Sequence, residues 1–165
     1  MAALDEALVL AAAARFEDEY ALLFTVSYRV AFRLLGDRGD AEDVAQEACA
    51  RAYSRWAGVR DYAKPWCIRV AGNLAFDRLR ALERARRLAD GGTPTAPDDP
   101  AAMAVRLDLY RALESLPGRQ RQVVILRYLG DLSERQTADL LGVSVGAVKT
   151  HGSRGLARLR EVISR

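Results

Sequence analysis

Histidine, lysine and cysteine are scarce in this 165-residue chain: His151 is the only histidine, Lys64 and Lys149 the only lysines, and Cys49 and Cys67 the only cysteines. A lone histidine with no cysteine or carboxylate at ligand spacing argues against a metal centre. Two cysteines eighteen positions apart, about one every several helical turns, give neither a zinc motif nor a disulfide framework and read as buried free thiols in a reducing compartment. No glycine-rich phosphate loop or nucleophile–base pair is present, so an enzyme is disfavoured and no cofactor is expected. Long apolar runs are missing too, which argues against membrane insertion. The apolar stretch from Leu4 to Ala14 carries Asp5 and Glu6 instead of a basic start, so it does not read as a signal peptide, and a cytoplasmic location is expected. Period-two alternation is weak throughout, which argues against strands.

What remains is rich in Ala, Leu, Arg and Glu, the residues of helices. Helices fit Ala12 to Leu35, Ala41 to Trp56, Pro65 to Leu88, Leu107 to Leu116, Gln120 to Leu129, Glu134 to Leu141 and Val145 to Ile163. Gly36 to Gly39 has turn chemistry, and Asp40 reads as the N-cap of the second helix. The segment from Asp90 to Pro100 concentrates three of the five prolines and a Gly-Gly pair, so it cannot continue a helix. The expected fold is all-α: two small helical domains, residues 12–88 and 103–165, joined by a flexible linker at 89–102. A linker so poor in apolar residues predicts that the two domains move independently.

Charge is distributed unevenly. The net charge is only +3, but Ser144 to Arg165 holds five basic residues and one acid, the footprint of a phosphate-backbone binder. That stretch follows a recognisable pattern. Ser133 can cap one short helix, small Ala138 lets two helices approach, Gly142 can take the positive φ that ends the first, and Ser144 can cap the second. Leu141, Val143 and Val148 are spaced to close a shared core. The reading is a helix-turn-helix over about 133–158, with its second helix free to enter a major groove. Ser144, Val145, Gly146 and Ala147 open that helix nearest the groove floor, and Lys149, Thr150, Ser153, Arg154 and Arg158 follow as donors to bases or phosphates.

A helix-turn-helix alone fits several regulator classes. Asp40-Ala-Glu-Asp-Val-Ala-Gln-Glu-Ala-Cys-Ala-Arg-Ala-Tyr53 is similar to the polymerase-binding motif of extracytoplasmic-function sigma factors. Asp43 and Glu47 lie one turn apart and place acids on one face; Asp40 and Glu42 by themselves only complement the helix dipole. Trp66, Val70, Ala71, Asn73, Asp77 and Arg80 match the family's next helix. The wording from Leu116-Pro117 through Gln122 to Tyr128, and on to Lys149 and Arg154, resembles the family's σ4 domain. Leu-Leu-Gly-Asp and Arg-Ala-Tyr-Ser-Arg-Trp resemble the SigE-type actinobacterial branch. Departures are Thr137, where isoleucine is usual, and Gly152 and Gly155 inside the last helix, each unfavourable by roughly 1 kcal/mol against Ala.

The resemblance implies a σ2-like and a σ4-like domain in an alternative sigma factor. It implies that Asp40, Asp43, Gln46 and Glu47 dock on the β′ clamp helices of core RNA polymerase, with the β flap as a second contact. It also implies that Arg60, Tyr62, Lys64, Trp66, Arg69, Asn73, Asp77 and Arg80 act on minus-ten DNA, and that the helix-turn-helix reads the minus-thirty-five element. Aromatic, amide and cationic side chains suit unpaired bases, although Trp66 fits a core position equally well. An anti-sigma protein is a further candidate partner. The rivals are a repressor or activator that never meets polymerase, which leaves Asp43, Gln46 and Glu47 without a role, and a helical adaptor, which leaves the capped turn and basic helix unexplained.

Overall fold

The computed structural model describes residues 2–89 and 99–163. Among them there is no strand, and these described residues form eight α-helices. The N-terminal half contains α1 (Ala2–Leu35), α2 (Arg38–Ser54), a single turn α3 (Trp56–Val59), a 3-10 turn (Arg60–Tyr62) and α4 (Ala63–Ala89). The C-terminal half contains α5 (Pro100–Glu114), α6 (Gly118–Val124) running into a π turn (Ile125–Leu129), α7 (Glu134–Leu141) and α8 (Val145–Ile163).

Helix α1 starts ten residues earlier than its pattern predicts, because the Ala- and Leu-rich residues before Ala12 also favour helix. It ends at Gly36, whose φ of 64° is left-handed. The next cap is Asp37, not Asp40: Asp37 is extended, and its Oδ1 accepts from the Asp40 amide at 2.8 Å. Two acids three residues apart compete for that role, and the one adjoining the turn takes it. Asp40 is left inside the first turn, free to pair elsewhere. Helices α1, α2 and α4 pack as a three-helix bundle. One end holds a separate apolar cluster of Phe16, Leu23, Cys49, Ala52, Trp56, Val59, Ala63 and Cys67. Burial pushes the Cys49 thiol up to about 11 and the Cys67 thiol up to about 12, so both are inert at neutral pH.

Residues 90–98 of the expected linker lie outside the described residues. Its last residues are not linker but helix: Asp99 Oδ1 accepts from the amides of Ala101 (2.9 Å) and Ala102 (3.1 Å), and Pro100 occupies the first turn, where its missing N–H costs nothing.

The expectation of independently moving domains is corrected by the core. Val30, Leu34, Ile68, Ala71, Ala75 and Leu79 from the first half share one buried cluster with Tyr110, Leu113, Val123, Ile125, Leu126 and Val148 from the second. The apolar residues that cover the first half come from α5 and the α6–π segment, so the poverty of the linker does not decide the matter. Ion pairs rim the contact: Arg33–Asp131 at 2.6 Å, Arg111–Glu83 at 3.2 Å, Arg80–Glu114 and Arg106–Asp37 at 3.7 Å.

Candidate polymerase-docking and DNA-reading faces

The acidic face follows from the alternation of α2. Ala41, Val44, Ala45, Ala48, Cys49 and Ala52 are buried, so Asp43, Gln46 and Glu47 must face outwards, and all three are exposed. Asp40 is half-buried. Its carboxylate lies 2.7 Å from Arg78 of α4, which also reaches Asp43 at 3.4 Å; Glu47 pairs with Arg51 at 2.7 Å. The face is therefore acidic but already held in place by arginines. Arg78 was not among the expected site residues, since nothing local links it to an acid 38 positions earlier.

The residues expected to act on minus-ten DNA divide into two groups. Arg60, Tyr62 and Lys64 stand exposed on the 3-10 turn and the first residues of α4. Trp66 is half-buried and packs against the cluster around Trp56, so it serves the core while keeping part of its surface outside. Arg69, Asn73, Asp77 and Arg80 run along α4 at the seam with the C-terminal half. Arg69 Nη1 donates to the Leu140 carbonyl at 3.3 Å. Arg80 lies 3.6 Å from Asp77 and 3.7 Å from Glu114, over the Phe76 ring. Asn73, Asp77 and Arg80 line a cleft of about 260 Å³ with Arg121, Gln122 and Ile125. Beyond them Arg84, Arg86 and Arg87 continue a cationic track along exposed α4.

The helix-turn-helix is built as its pattern predicts. Ser133 and Gln136 form a reciprocal capping box, at 3.1 Å and 2.9 Å. Gly142 ends α7 at φ 64°, a conformation a side chain would strain. Ser144 Oγ accepts from the Ala147 amide at 3.1 Å, and Ala138, Leu141 and Val148 are buried. Ser144, Val145, Gly146, Lys149, Thr150, Ser153, Arg154 and Arg158 are exposed, and Ala147 is half-exposed. Lys149 lies 3.7 Å from Glu134. The Thr150 and Ser153 hydroxyls donate to carbonyls of their own helix, at 3.0 Å and 3.2 Å. His151 is half-buried, which removes it from the outermost stripe.

One of the two departing glycines inside α8, Gly155, has a packing reason. A Cβ at Gly155 would lie 2.8 Å from Val124 Cγ2, so its absence is what lets α8 approach α6; at Gly152 the same test gives ordinary contacts. Thr137 is fully buried, and its hydroxyl has no partner among the described residues. Also among the described residues, no group of three or more His, Cys, Asp or Glu could hold a metal ion, and no helix is long and apolar enough to cross a membrane.

Comparison with known proteins decides between the readings. Residues 10–85 match the family model for Sigma-70 region 2, and residues 106–159 match that for Sigma-70, region 4. The chain is 38% identical over 139 residues to the RNA polymerase sigma-E factor of Streptomyces avermitilis, covering 81% of this chain and 76% of that one. The chain belongs to the sigma-70 family of RNA polymerase sigma factors. It is of the extracytoplasmic-function type. The ECF sigma factor SigL of Mycobacterium tuberculosis is 35% identical over 152 residues, covering 87% of this sigma factor and 84% of that one. In fold, it is similar to CnrH solved with the cytosolic domain of CnrY (TM-score 0.60, 21% identity, 94% and 96% coverage). It is also similar to RpoE solved with the anti-sigma factor NepR from Bartonella quintana (TM-score 0.56, 23% identity, 90% and 96% coverage). The chain is an alternative sigma factor that directs transcription initiation.

Proposed function

We propose that residues 12–88 act as the domain that holds core RNA polymerase and melts the minus-ten region, and residues 103–165 as the domain that reads the minus-thirty-five duplex. The observation that carries this division is the simultaneous exposure of two chemically opposite faces, acidic Asp43–Gln46–Glu47 on α2 and cationic Lys149–Arg154–Arg158 on α8. The acids suit arginines of the β′ clamp helices. The start of α8 has small side chains, so its backbone can approach base edges closely, while its later arginines suit phosphates. Asn73, Arg69 and the Arg60–Lys64 segment would hold the displaced minus-ten strand, with Trp66 offering a partial stacking surface. Each site alone is weak; tethering both to one polymerase raises their effective concentrations and sharpens promoter choice.

The chain acts by binding, leaving the covalent chemistry to the polymerase, and works in the cytoplasm. An anti-sigma protein is its candidate regulator, since RpoE from Bartonella quintana, of similar fold, was solved in complex with the anti-sigma factor NepR. The test is charge reversal. Asp43→Lys with Glu47→Lys should abolish co-elution with core polymerase and promoter-dependent run-off transcription, with circular dichroism unchanged. Retained co-elution would remove the docking assignment and favour a regulator that does not engage polymerase.

A further inference from the structure

The last turns of α4 repeat charged residues along one side. Arg80, Glu83, Arg84 and Arg87 lie at i, i+3, i+4 and i+7, so a single face of the helix carries all four. Helix α5 sets Arg111 and Glu114 against that face. Between the two helices lies an open cleft of about 400 Å³, walled on one side by the buried Tyr110. Such a volume suits a small ligand.

The charges lining the cleft do not cancel. The guanidinium groups of Arg80, Arg84, Arg87 and Arg111 meet only two carboxylates, those of Glu83 and Glu114. Glu83 has 5% of its side chain exposed and draws Arg87 and Arg111 together, at 3.2 Å each. Glu114 lies 3.7 Å from Arg80 and 3.5 Å from Arg121. Arg84 is exposed and has no acid within ion-pair distance among the described residues. Arg87 donates to Glu83 only through Nε, so its two terminal nitrogens are uncommitted among the described residues, and 74% of its side chain is exposed. Glu83 thus braces cations from both helices at the floor, while Arg84 and Arg87 keep donors free at the mouth.

Linked phosphates are the chemistry this arrangement fits. Planar guanidinium forks grip phosphate oxygens in pairs. A lone orthophosphate has less charge and fewer oxygens to divide among four guanidinium groups on two helices. A nucleic-acid backbone spreads its charge along an extended chain, a poorer match to a concave cleft. We propose that the α4–α5 cleft is a binding site for a di- or triphosphate group, gripped by Arg84, Arg87 and Arg111, with Glu83 as the positioning residue. The site lies apart from the acids of α2 and the reading side of α8, and of its cations only Arg80 is among the minus-ten candidates.

Titration calorimetry of the full chain with inorganic triphosphate tests it, in magnesium-free buffer at matched ionic strength. Triphosphate should bind at least about tenfold more tightly than orthophosphate. Arg84→Glu, at an exposed position, should keep the circular dichroism of the parent and weaken triphosphate by at least about tenfold. Arg29→Glu, the same charge change at an exposed position of α1, should leave binding within about twofold. Arg111→Lys keeps a cation beside Glu83 but removes the fork, and should weaken triphosphate by about threefold or more. At about a hundredfold above its Kd, triphosphate should raise the thermal midpoint of the parent by about 5 °C, and that of Arg84→Glu by about half as much.

Equal affinity for triphosphate and orthophosphate, or equal losses in Arg84→Glu and Arg29→Glu, would mean diffuse attraction to a basic surface and overturns the site. Adenosine triphosphate set against inorganic triphosphate tells a nucleotide from a bare phosphate chain, and tight Arg84-dependent binding of either upholds the site. A duplex without promoter sequence that displaces triphosphate at a lower phosphate concentration than triphosphate itself requires would assign the cleft to nucleic-acid backbone and overturn the proposal.

Discussion

Helices α4 and α8, the two proposed to meet DNA, are treated in opposite ways by the same chain. Helix α8 rests Gly155 on α6, buries Val148, and presents Lys149, Arg154 and Arg158 to solvent. Helix α4 has a core side facing α1 and α2, but its polar stripe meets a second apolar surface, so Arg69 and Arg80 are spent on Leu140 and Glu114. A duplex reader needs only an exposed face of modest cost. A face that opens DNA carries apolar and aromatic groups suited to unpaired bases, and those same groups attract any apolar neighbour when no DNA is present. On the proposed roles, exposure follows from the chemistry of the nucleic acid that each helix would meet.

The sharpest way to break the contrast is to remove the Ile125 side chain, which fills the space over Gly72 of α4. Ile125→Ala should lower stability by about 2–5 kcal/mol through lost burial and a residual cavity. It should be read as a lower urea midpoint together with faster amide exchange between Arg69 and Arg80. Slow exchange along that stretch in the folded variant would mean that other contacts hold the seam.

The exposed helix should respond in another currency. Lys149→Ala should change which minus-thirty-five sequence is preferred, at about 1–3 kcal/mol if it reads a base edge. Arg158→Ala should instead weaken all sequences alike and lower the salt slope by about one unit. Binding over a salt series to a randomised duplex library separates the two, and neither change should alter exchange at α4.

Acid offers a milder probe of the seam. Burial raises the Glu83 carboxyl, but the bonds from Arg111 and Arg87 outweigh it and hold the group below its ordinary value of 4.5. A depressed folded value means that its contribution is complete above the ordinary value and is lost as pH falls through the lower one. Separation of α5 from α4 should therefore begin below about pH 4.5, and Glu83→Gln should flatten that dependence; scattering at stepped pH measures it. The smallest expected effect is at the far cluster. Cys49 and Cys67 lie outside the seam, so Ile125→Ala should leave their slow alkylation at neutral pH unchanged.

How much of this was legible follows from distance along the chain. Capping and turning are local, so Ser133, Gly142 and Ser144 announced α7 and α8 with their observed bounds. The pattern pointed to Asp40 as the cap of α2, and only the left-handed bend at Gly36, which local spacing does not announce, gives that role to Asp37. Tertiary pairs left no such trace. Arg33 and Asp131 are 98 positions apart, and Gly72 and Ile125 form no periodic pattern, so the closure of one half on the other could not be read from composition. The exposed acids and the donors of α8 were legible because amphipathic spacing says which side of a helix faces out. It does not say what will cover that side.

The π turn at Ile125–Leu129 has a consequence for how this chain tolerates changes of length. Gly130 N–H reaches back five residues to the Ile125 carbonyl, at 2.8 Å, where an ordinary helix reaches four. The turn therefore holds one residue more than regular winding needs. Deleting a residue there would mend the hydrogen-bond ladder while rotating everything that follows by about 100° around the α6 axis. The other side chains would all still be present, and α8 would point elsewhere. The turn thus sets the angular phase between the N-terminal half and α8, and in this segment a change of one residue is a change of direction.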